Sequence, residues 1–276
     1  MTGRQRVLGV CSWSLKPGGP KELVERIQAV GLSHVQLALE PLRQGAFAVE
    51  ETMNCLQEAG IEVRSGMIEM AGEDYSSLES IRRTGGVRSD GLWPRNLEVV
   101  GECAALCERL GLSLVSFHAG FLPHGAGDPL REVMIERLRQ VADRLTGSGV
   151  RLMLETGQES AETLLAVLKE LERPGVGINF DPANMILYGM GEPTEALARL
   201  AERVWQVHIK DALRSQQPGE WGEEVPVGSG EVDWERCLSV LEQKQLGCDL
   251  MIEREAGDKR IEEIILARNR MRRLLS

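Results

Sequence analysis

Short apolar runs alternate along the whole chain with longer stretches in which apolar residues recur at three- and four-residue intervals. The runs predict strands over 7–13, 34–39, 61–68, 112–118, 150–155, 175–181, 204–210 and 250–253. Most are near-continuously apolar, as expected of strands covered on both faces. The stretches between them predict helices over 20–30, up to 59, and over 96–110, 129–145, 161–171, 192–201, 234–243 and 259–275. Pro20 opens the first, and Gly31, Gly60 and Gly111 stand where helices close. Asp233 is placed to cap another. The cluster Arg268, Arg270, Arg272 and Arg273 suits the negative end of the last helix dipole. Two segments break the pattern: a Gly- and Ser-rich excursion over 70–93 and a Gly/Pro-rich loop over 212–232. No internal repeat interrupts the alternation.

Strict strand–helix alternation favours a parallel sheet, and eight such units are the number that closes a (β/α)8 TIM barrel. A length of 276 residues suits one barrel domain spanning 1–276, since such barrels need roughly 250 residues. The rival is an open doubly wound sheet, which wants a phosphate-binding glycine fingerprint after an early strand. The first strand–helix turn, 14–20, has no such fingerprint, and Gly228-x-Gly230 falls in a late loop.

Composition narrows the partners. Lysines and arginines number 32 against 42 aspartates and glutamates, so the formal charge is 32 − 42 = −10. An acidic chain lacks the basic footprint of nucleic-acid or anionic-membrane binding. No run approaches the ~20 apolar residues of a membrane span. The N-terminal 1–6 lacks a long apolar region and reads as a short tail, which implies a soluble, cytoplasmic protein. The six cysteines contain no Cys-x-x-Cys pair and read as reduced core residues. His34 begins a strand and reads as structural; His124 sits in a Gly-rich loop and reads as exposed.

In a barrel the active site forms at the carboxyl ends of the strands. The fifth strand ends in Glu155, the sixth in Asp181, the seventh presents His208 and the eighth Glu253. Any one acid could simply cap the helix that follows. Four consecutive strands delivering three carboxylates and an imidazole to one space need a counter-ion. A single divalent cation fits: Mn2+, Mg2+ or Co2+, with Zn2+ a further candidate.

The ordered set of motifs Leu154-Glu155, Asn179-Phe180-Asp181-Pro182-Ala183-Asn184, Val207-His208-Ile209-Lys210-Asp211, Pro226 to Trp234 and Ile252-Glu253-Arg254-Glu255 resembles the xylose isomerase-like TIM barrels, a broad sugar isomerase/epimerase group. The resemblance implies a divalent metal held by Glu155, Asp181, His208 and Glu253. In the ketose 3-epimerases of that group, the glutamates matching Glu155 and Glu253 also move protons. Asn184 departs from that pattern, standing three after Asp181 where those enzymes carry His. Gln158 likewise stands three after Glu155, at a position for an acid. Arg214, six after His208, matches a substrate-binding Arg.

The chemistry agrees with the implication. Isomerising or epimerising a sugar removes a proton α to a carbonyl, and a cation stabilises the enediolate. The expected site therefore has Glu155 and Glu253 as catalytic groups, with His118, Asn184, Lys210, Arg214 and Trp13 around the substrate. The substrate expected is a neutral sugar or polyol, because no phosphate-binding loop follows the last two strands. A dehydratase or lyase acting on a keto-sugar or keto-inositol is the alternative. A non-catalytic carbohydrate-binding barrel and an endonuclease are further ones, the latter opposed by the scarcity of histidine and the acidic surface. Assembly into a homo-oligomer is compatible with such a barrel.

Overall fold

The structure, a computed structural model, describes residues 6–217 and 219–276; the expected tail over 1–5 lies outside them. Eight parallel strands close a barrel: β1 (Leu8–Cys11), β2 (His34–Ala38), β3 (Glu62–Met67), β4 (Leu114–Phe117), β5 (Arg151–Glu155), β6 (Val176–Phe180), β7 (Val204–Ile209) and β10 (Asp249–Ile252). Each pairs with its neighbours in sequence, and β10 returns to pair with β1 through Leu8 and Leu250. A small antiparallel hairpin, β8 (Asp211–Leu213) and β9 (Glu223–Val225), is inserted between β7 and the helix that follows.

The long helices α1 (Pro20–Ala29), α3 (Val49–Glu58), α5 (Trp93–Leu110), α6 (Pro129–Gly147), α7 (Ala161–Leu171), α9 (Pro193–Leu200), α10 (Trp234–Gln243) and α11 (Arg260–Leu274) surround the barrel. Three shorter ones, α2 (Glu40–Arg43), α4 (Leu78–Thr84) and α8 (Pro182–Leu187), sit in the loops above the strands. The helix starts are punctuated chemically. Prolines occupy the first turn of α1, α5, α6, α8 and α9, and Asp128, Ser160, Asp181 and Asp233 accept a backbone N–H at the starts of α6, α7, α8 and α10. The main apolar core lies between the strands and the helices, with Leu23, Ile27, Val99, Leu138, Val167 and Leu241 almost wholly inaccessible. At the amino-terminal end of the barrel, buried Arg64 pairs with Asp249 at 2.9 Å through Nε. No helix among the described residues is long and apolar enough to cross a membrane.

The structure departs from the sequence pattern in a few places. The first strand stops at Cys11, and Trp13 lies in a 3-10 turn over Ser12–Leu15. The helical pattern ending at 59 is two helices, broken where Gly45 takes a φ of 75°. Directly after Asp181 comes α8, hidden in sequence between two longer elements. The excursion over 70–93 folds around α4 and crosses the end of β4 at touching distance. A Cβ on Gly86 would lie 2.1 Å from the Ala119 carbonyl carbon, and one on Gly120 2.2 Å from the Gly85 oxygen. Only glycine fits there, and the crossing fixes the backbone next to His118.

Candidate metal centre

Glu155, Asp181, His208 and Glu253 converge at the carboxyl end of the barrel, with ligand atoms that all lie within 4.8 Å of one another. All four are buried. His208 Nδ1 stands 3.2 Å from Glu253 Oε2, 3.5 Å from Glu155 Oε1 and 3.8 Å from Asp181 Oδ2. The adjoining backbone is pinned: the Asp181 N–H donates to Thr156 Oγ1 at 2.7 Å, and that hydroxyl donates to the Asp181 carbonyl at 3.0 Å.

The donor set fits a divalent cation. His208 Nδ1 and Asp181 Oδ2 are buried with no hydrogen-bond partner, a costly arrangement, and Glu253 Oε2 beside them has, apart from that imidazole, only the ionic contact with Lys210. All three are turned toward one point. Ligands at ~2.1 Å from a common ion stand roughly 3.0 to 3.4 Å apart, close to the spacings seen. Charge agrees too: three carboxylates and a dication sum to −1, and the Lys210 ammonium brings the group to zero.

Lys210 is the resident counter-ion, with Nζ 3.1 Å from Glu253 Oε2, 3.9 Å from Asp181 Oδ2 and 2.6 Å from Glu255 Oε2. Burial opposes ionisation of Glu253, but Lys210 and His208 outweigh it and hold that carboxyl well below the usual range. Burial likewise opposes charge on Glu155, where His118 and His208 prevail and lower its pKa. Burial pushes Asp181 up to about 6 against the pull of His208 and Lys210. The centre thus presents two ionised glutamates, from the ends of β5 and β10, each beside a cationic group.

Each glutamate is also oriented. Trp13 Nε1 donates to Glu253 Oε1 at 2.6 Å. Asn184 Nδ2 donates to Glu155 Oε1 at 3.1 Å, and Asn179 Nδ2 donates to Glu155 Oε2 at 3.0 Å. His118 Nε2 is 3.5 Å from Glu155 Oε1. The indole and amide donors fix the direction of these carboxylate oxygens, and an oxygen that accepts one hydrogen bond keeps a further lone pair.

Above the centre opens a cavity of about 680 Å³, within the range of small-molecule sites. Trp13, Tyr75, Tyr188 and Trp221 supply its aromatic surface, and the Tyr188 and Trp221 rings stand 4.9 Å apart. Among its lining residues Lys210 is the sole lysine or arginine, against Glu40, Glu69, Glu224, Glu253 and Glu255.

The structure brings Trp13, His118, Asn184 and Lys210 to this cavity. It does not bring Arg214 there. That side chain is partly exposed, its Nε donates to Glu231 Oε2 at 3.1 Å, and its backbone N–H is held by the same carboxylate at 2.8 Å. Arg214, expected to contact substrate, is not among the lining residues; its loop folds back on Glu231. Sequence reasoning missed Asp211. Its buried carboxylate accepts the N–H groups of Ala212, Gly228, Gly230 and Val232 at 3.0, 2.7, 3.3 and 3.1 Å. The available signal was weak: an Asp at the end of the His208-Ile209-Lys210-Asp211 run, seventeen residues before Gly228-x-Gly230. Glu224 is a second clamp, pairing with Arg254 at 2.8 Å and accepting the Glu255 N–H at 2.9 Å.

The profile of the xylose isomerase-like TIM barrel matches residues 24–274. Uncharacterized protein YihM of Escherichia coli (strain K12) is 28% identical over 144 residues, 51% of this chain and 43% of its own length. A 3-oxo-isoapionate decarboxylase of Pectobacterium atrosepticum is 26% identical over 129 residues, 45% of this chain and 46% of its own. Each match thus spans just under half of the relative. A xylose isomerase domain protein from Planctomyces limnophilus superposes with a TM-score of 0.88 at 28% identity, over 99% of this chain and 98% of its own. Two likenesses are of fold alone. A xylose isomerase-like barrel from Mycobacterium smegmatis in complex with magnesium gives 0.71 at 17% identity, over 99% and 97% of the chains. An L-ribulose 3-epimerase gives 0.75 at 16% identity, over 98% and 94%.

Proposed function

This chain belongs to the xylose isomerase-like TIM barrel family, and from that premise we propose that it is a divalent-metal-dependent isomerase or epimerase acting on a neutral sugar, keto-sugar or polyol derivative. The observation that carries the proposal is the cluster of buried ligand atoms on Glu155, Asp181, His208 and Glu253, next to a cavity that Glu253 lines.

Glu155, Asp181, His208 and Glu253 would hold the cation. When bound, it supplies Lewis acidity that polarises a substrate carbonyl and stabilises enediolate charge. Glu155 and Glu253 are buried together at the centre, ionised and fixed in orientation. One takes the proton α to the carbonyl and becomes an acid; return of that proton to the neighbouring carbon, with a proton passing between the two oxygens, isomerises the sugar, and epimerisation requires the other glutamate to gain a proton from solvent before delivering it to the opposite face. His118 beside Glu155 and Lys210 beside Glu253 stabilise these anions and keep them from repelling the developing charge. Trp13, Tyr75, Tyr188 and Trp221 offer apolar faces to the C–H side of a sugar ring or chain. The acidic lining, with Lys210 already paired, favours an uncharged substrate over a phosphate ester. The likeness to a decarboxylase over part of the chain supports a second reading, a lyase, in which an enediolate either forms by loss of carbon dioxide or, once the α proton is removed, expels a β-leaving group such as water.

The test is a panel of free ketoses and aldoses in D2O with Mn2+- or Mg2+-loaded protein, read by NMR. Deuterium entering the carbon next to the carbonyl, with the carbon skeleton retained, supports the isomerase or epimerase. Loss of water or carbon dioxide from a keto-acid or keto-inositol supports the second reading. No exchange and no turnover across the panel would overturn both.

A further inference from the structure

Inside the barrel, beneath the four ligands, lies a layer of uncharged polar side chains where branched apolar ones usually pack. Gln36, Ser65, Ser116, Asn179 and Gln206 are all buried. Their hydrogen bonds fix each amide's direction. Gln36 Nε2 donates to Ser116 Oγ at 2.8 Å and to the Gly66 carbonyl at 3.5 Å, so the Gln36 carbonyl points the other way. That carbonyl accepts from Gln206 Nε2 at 2.7 Å. Gln206 Nε2 also donates to Asn179 Oδ1 at 3.2 Å, and Ser65 Oγ donates to Gln206 Oε1 at 2.6 Å. The Asn179 amide therefore turns its NH2 toward Glu155.

His208 Nε2 enters this layer between two groups of opposite sense. The Gln36 Oε1 atom lies 2.7 Å away and can only accept; the Asn179 Nδ2 atom lies 2.9 Å away and can only donate. The two contacts demand different tautomers. If Gln36 wins, Nε2 carries the proton and Nδ1 keeps its lone pair for the three carboxylates' common point. If Asn179 wins, Nδ1 must carry the proton and cannot ligate. The Gln36 contact is the shorter, and besides Gln206 its oxygen meets only the Cys11 thiol, at a long 3.6 Å, so a lone pair can serve His208.

We propose that Gln36 is the positioning residue of the centre: its carbonyl accepts the Nε2–H of His208 and so presents Nδ1, unprotonated, as a ligand. The proposal rests on the metal centre put forward above. It assigns a ligand-orienting role to a neutral residue of β2, 172 positions away from His208 in sequence.

Two measurements test it. In protein labelled with 15N-histidine and loaded with diamagnetic Mg2+, with His208 assigned by comparison with His208→Gln, Nε2 should be protonated and Nδ1 not. In Mn2+ titrations, Gln36→Leu should bind roughly ten- to a hundredfold more weakly than wild type, and Gln36→Glu, which keeps an acceptor, within about threefold by the same reasoning. Gln36→Leu also strands the Gln206 amide, so circular dichroism must show both variants folded; the NMR arm needs no variant at Gln36. Unprotonated Nε2 in the loaded protein, or wild-type affinity in folded Gln36→Leu, would overturn this inference alone. Wild-type protein that binds neither Mn2+ nor Mg2+ would overturn the centre and this inference together.

Discussion

Replacing Asp211 with alanine should unlatch one wall of the cavity while leaving the barrel folded. The carboxylate accepts four backbone N–H groups, three of them from residues 228–232. Hydrogen bonds to a charged group contribute about 1.5 kcal/mol or more each. Gly228 and Gly230 lie at least partly open to solvent and can turn to water once released; Ala212 and Val232 are buried and cannot. Counting those two alone gives about 3 kcal/mol, or roughly a hundredfold shift in the local opening equilibrium. The same loop leads back to Trp221, Gly222 and Glu224, which line the cavity. Hydrogen-exchange mass spectrometry is the assay. Amides of 226–232 should exchange about a hundredfold faster in Asp211→Ala by this estimate, with peptides from β4 to β6 unchanged, and KM should rise more than kcat falls. Asp211→Asn, which retains one acceptor oxygen, should fall between. Wild-type protection of 226–232 in Asp211→Ala would refute the reasoning, and so would equal loss of protection in the strands.

Other outcomes follow from the same contacts. Glu155→Gln and Glu253→Gln should each lower turnover about a hundredfold or more, with metal content measured in both; full activity in a metal-loaded variant would remove that residue from the proton-transfer scheme. Burial pushes the Glu159 carboxyl up to about 8, and its Oε1 has no hydrogen-bond partner. A pKa raised above its unfolded value gives stability that is intact below the ordinary carboxylate range and is lost as pH climbs toward about 8. Thermal melts should therefore show wild type losing stability between pH 5 and 9, with Glu159→Gln flattening that slope; identical slopes would count against it. Arg214→Ala should leave kcat/KM within about twofold, as expected of an exposed ion pair. In a panel pairing free sugars with their phosphate esters the free sugars should be preferred, and preference for the esters would contradict the reading of the cavity.

The barrel was legible because strands covered on both faces read as apolar runs and because proline, aspartate and glycine punctuate the helices between them. The convergence of Glu155, Asp181, His208 and Glu253 was legible for a related reason: each stands at the end of such a run, and a barrel sends those ends to one mouth. What lay between the ligands was not. Gln36, Asn179 and Gln206 look unexceptional within their strands, since nothing local marks which face turns inward or which distant amide it meets. Trp13 lines the cavity, but the contact of its indole N–H with Glu253 was not legible, since it depends on the 3-10 turn that follows β1. The position of Arg214 was not legible because spacing along a loop does not determine the loop's path; Asp211 and Glu231 do that through backbone hydrogen bonds.

The central claim is a divalent cation bound by the ends of four consecutive strands. Crystals grown with Mn2+ and measured at the manganese edge test it most directly. The account predicts one strong anomalous peak per chain, bounded by Glu155, Asp181, His208 Nδ1 and Glu253 and lost in Asp181→Ala. An absence of density there at saturating Mn2+, or a peak held by other residues and unaffected by Asp181→Ala, would contradict it.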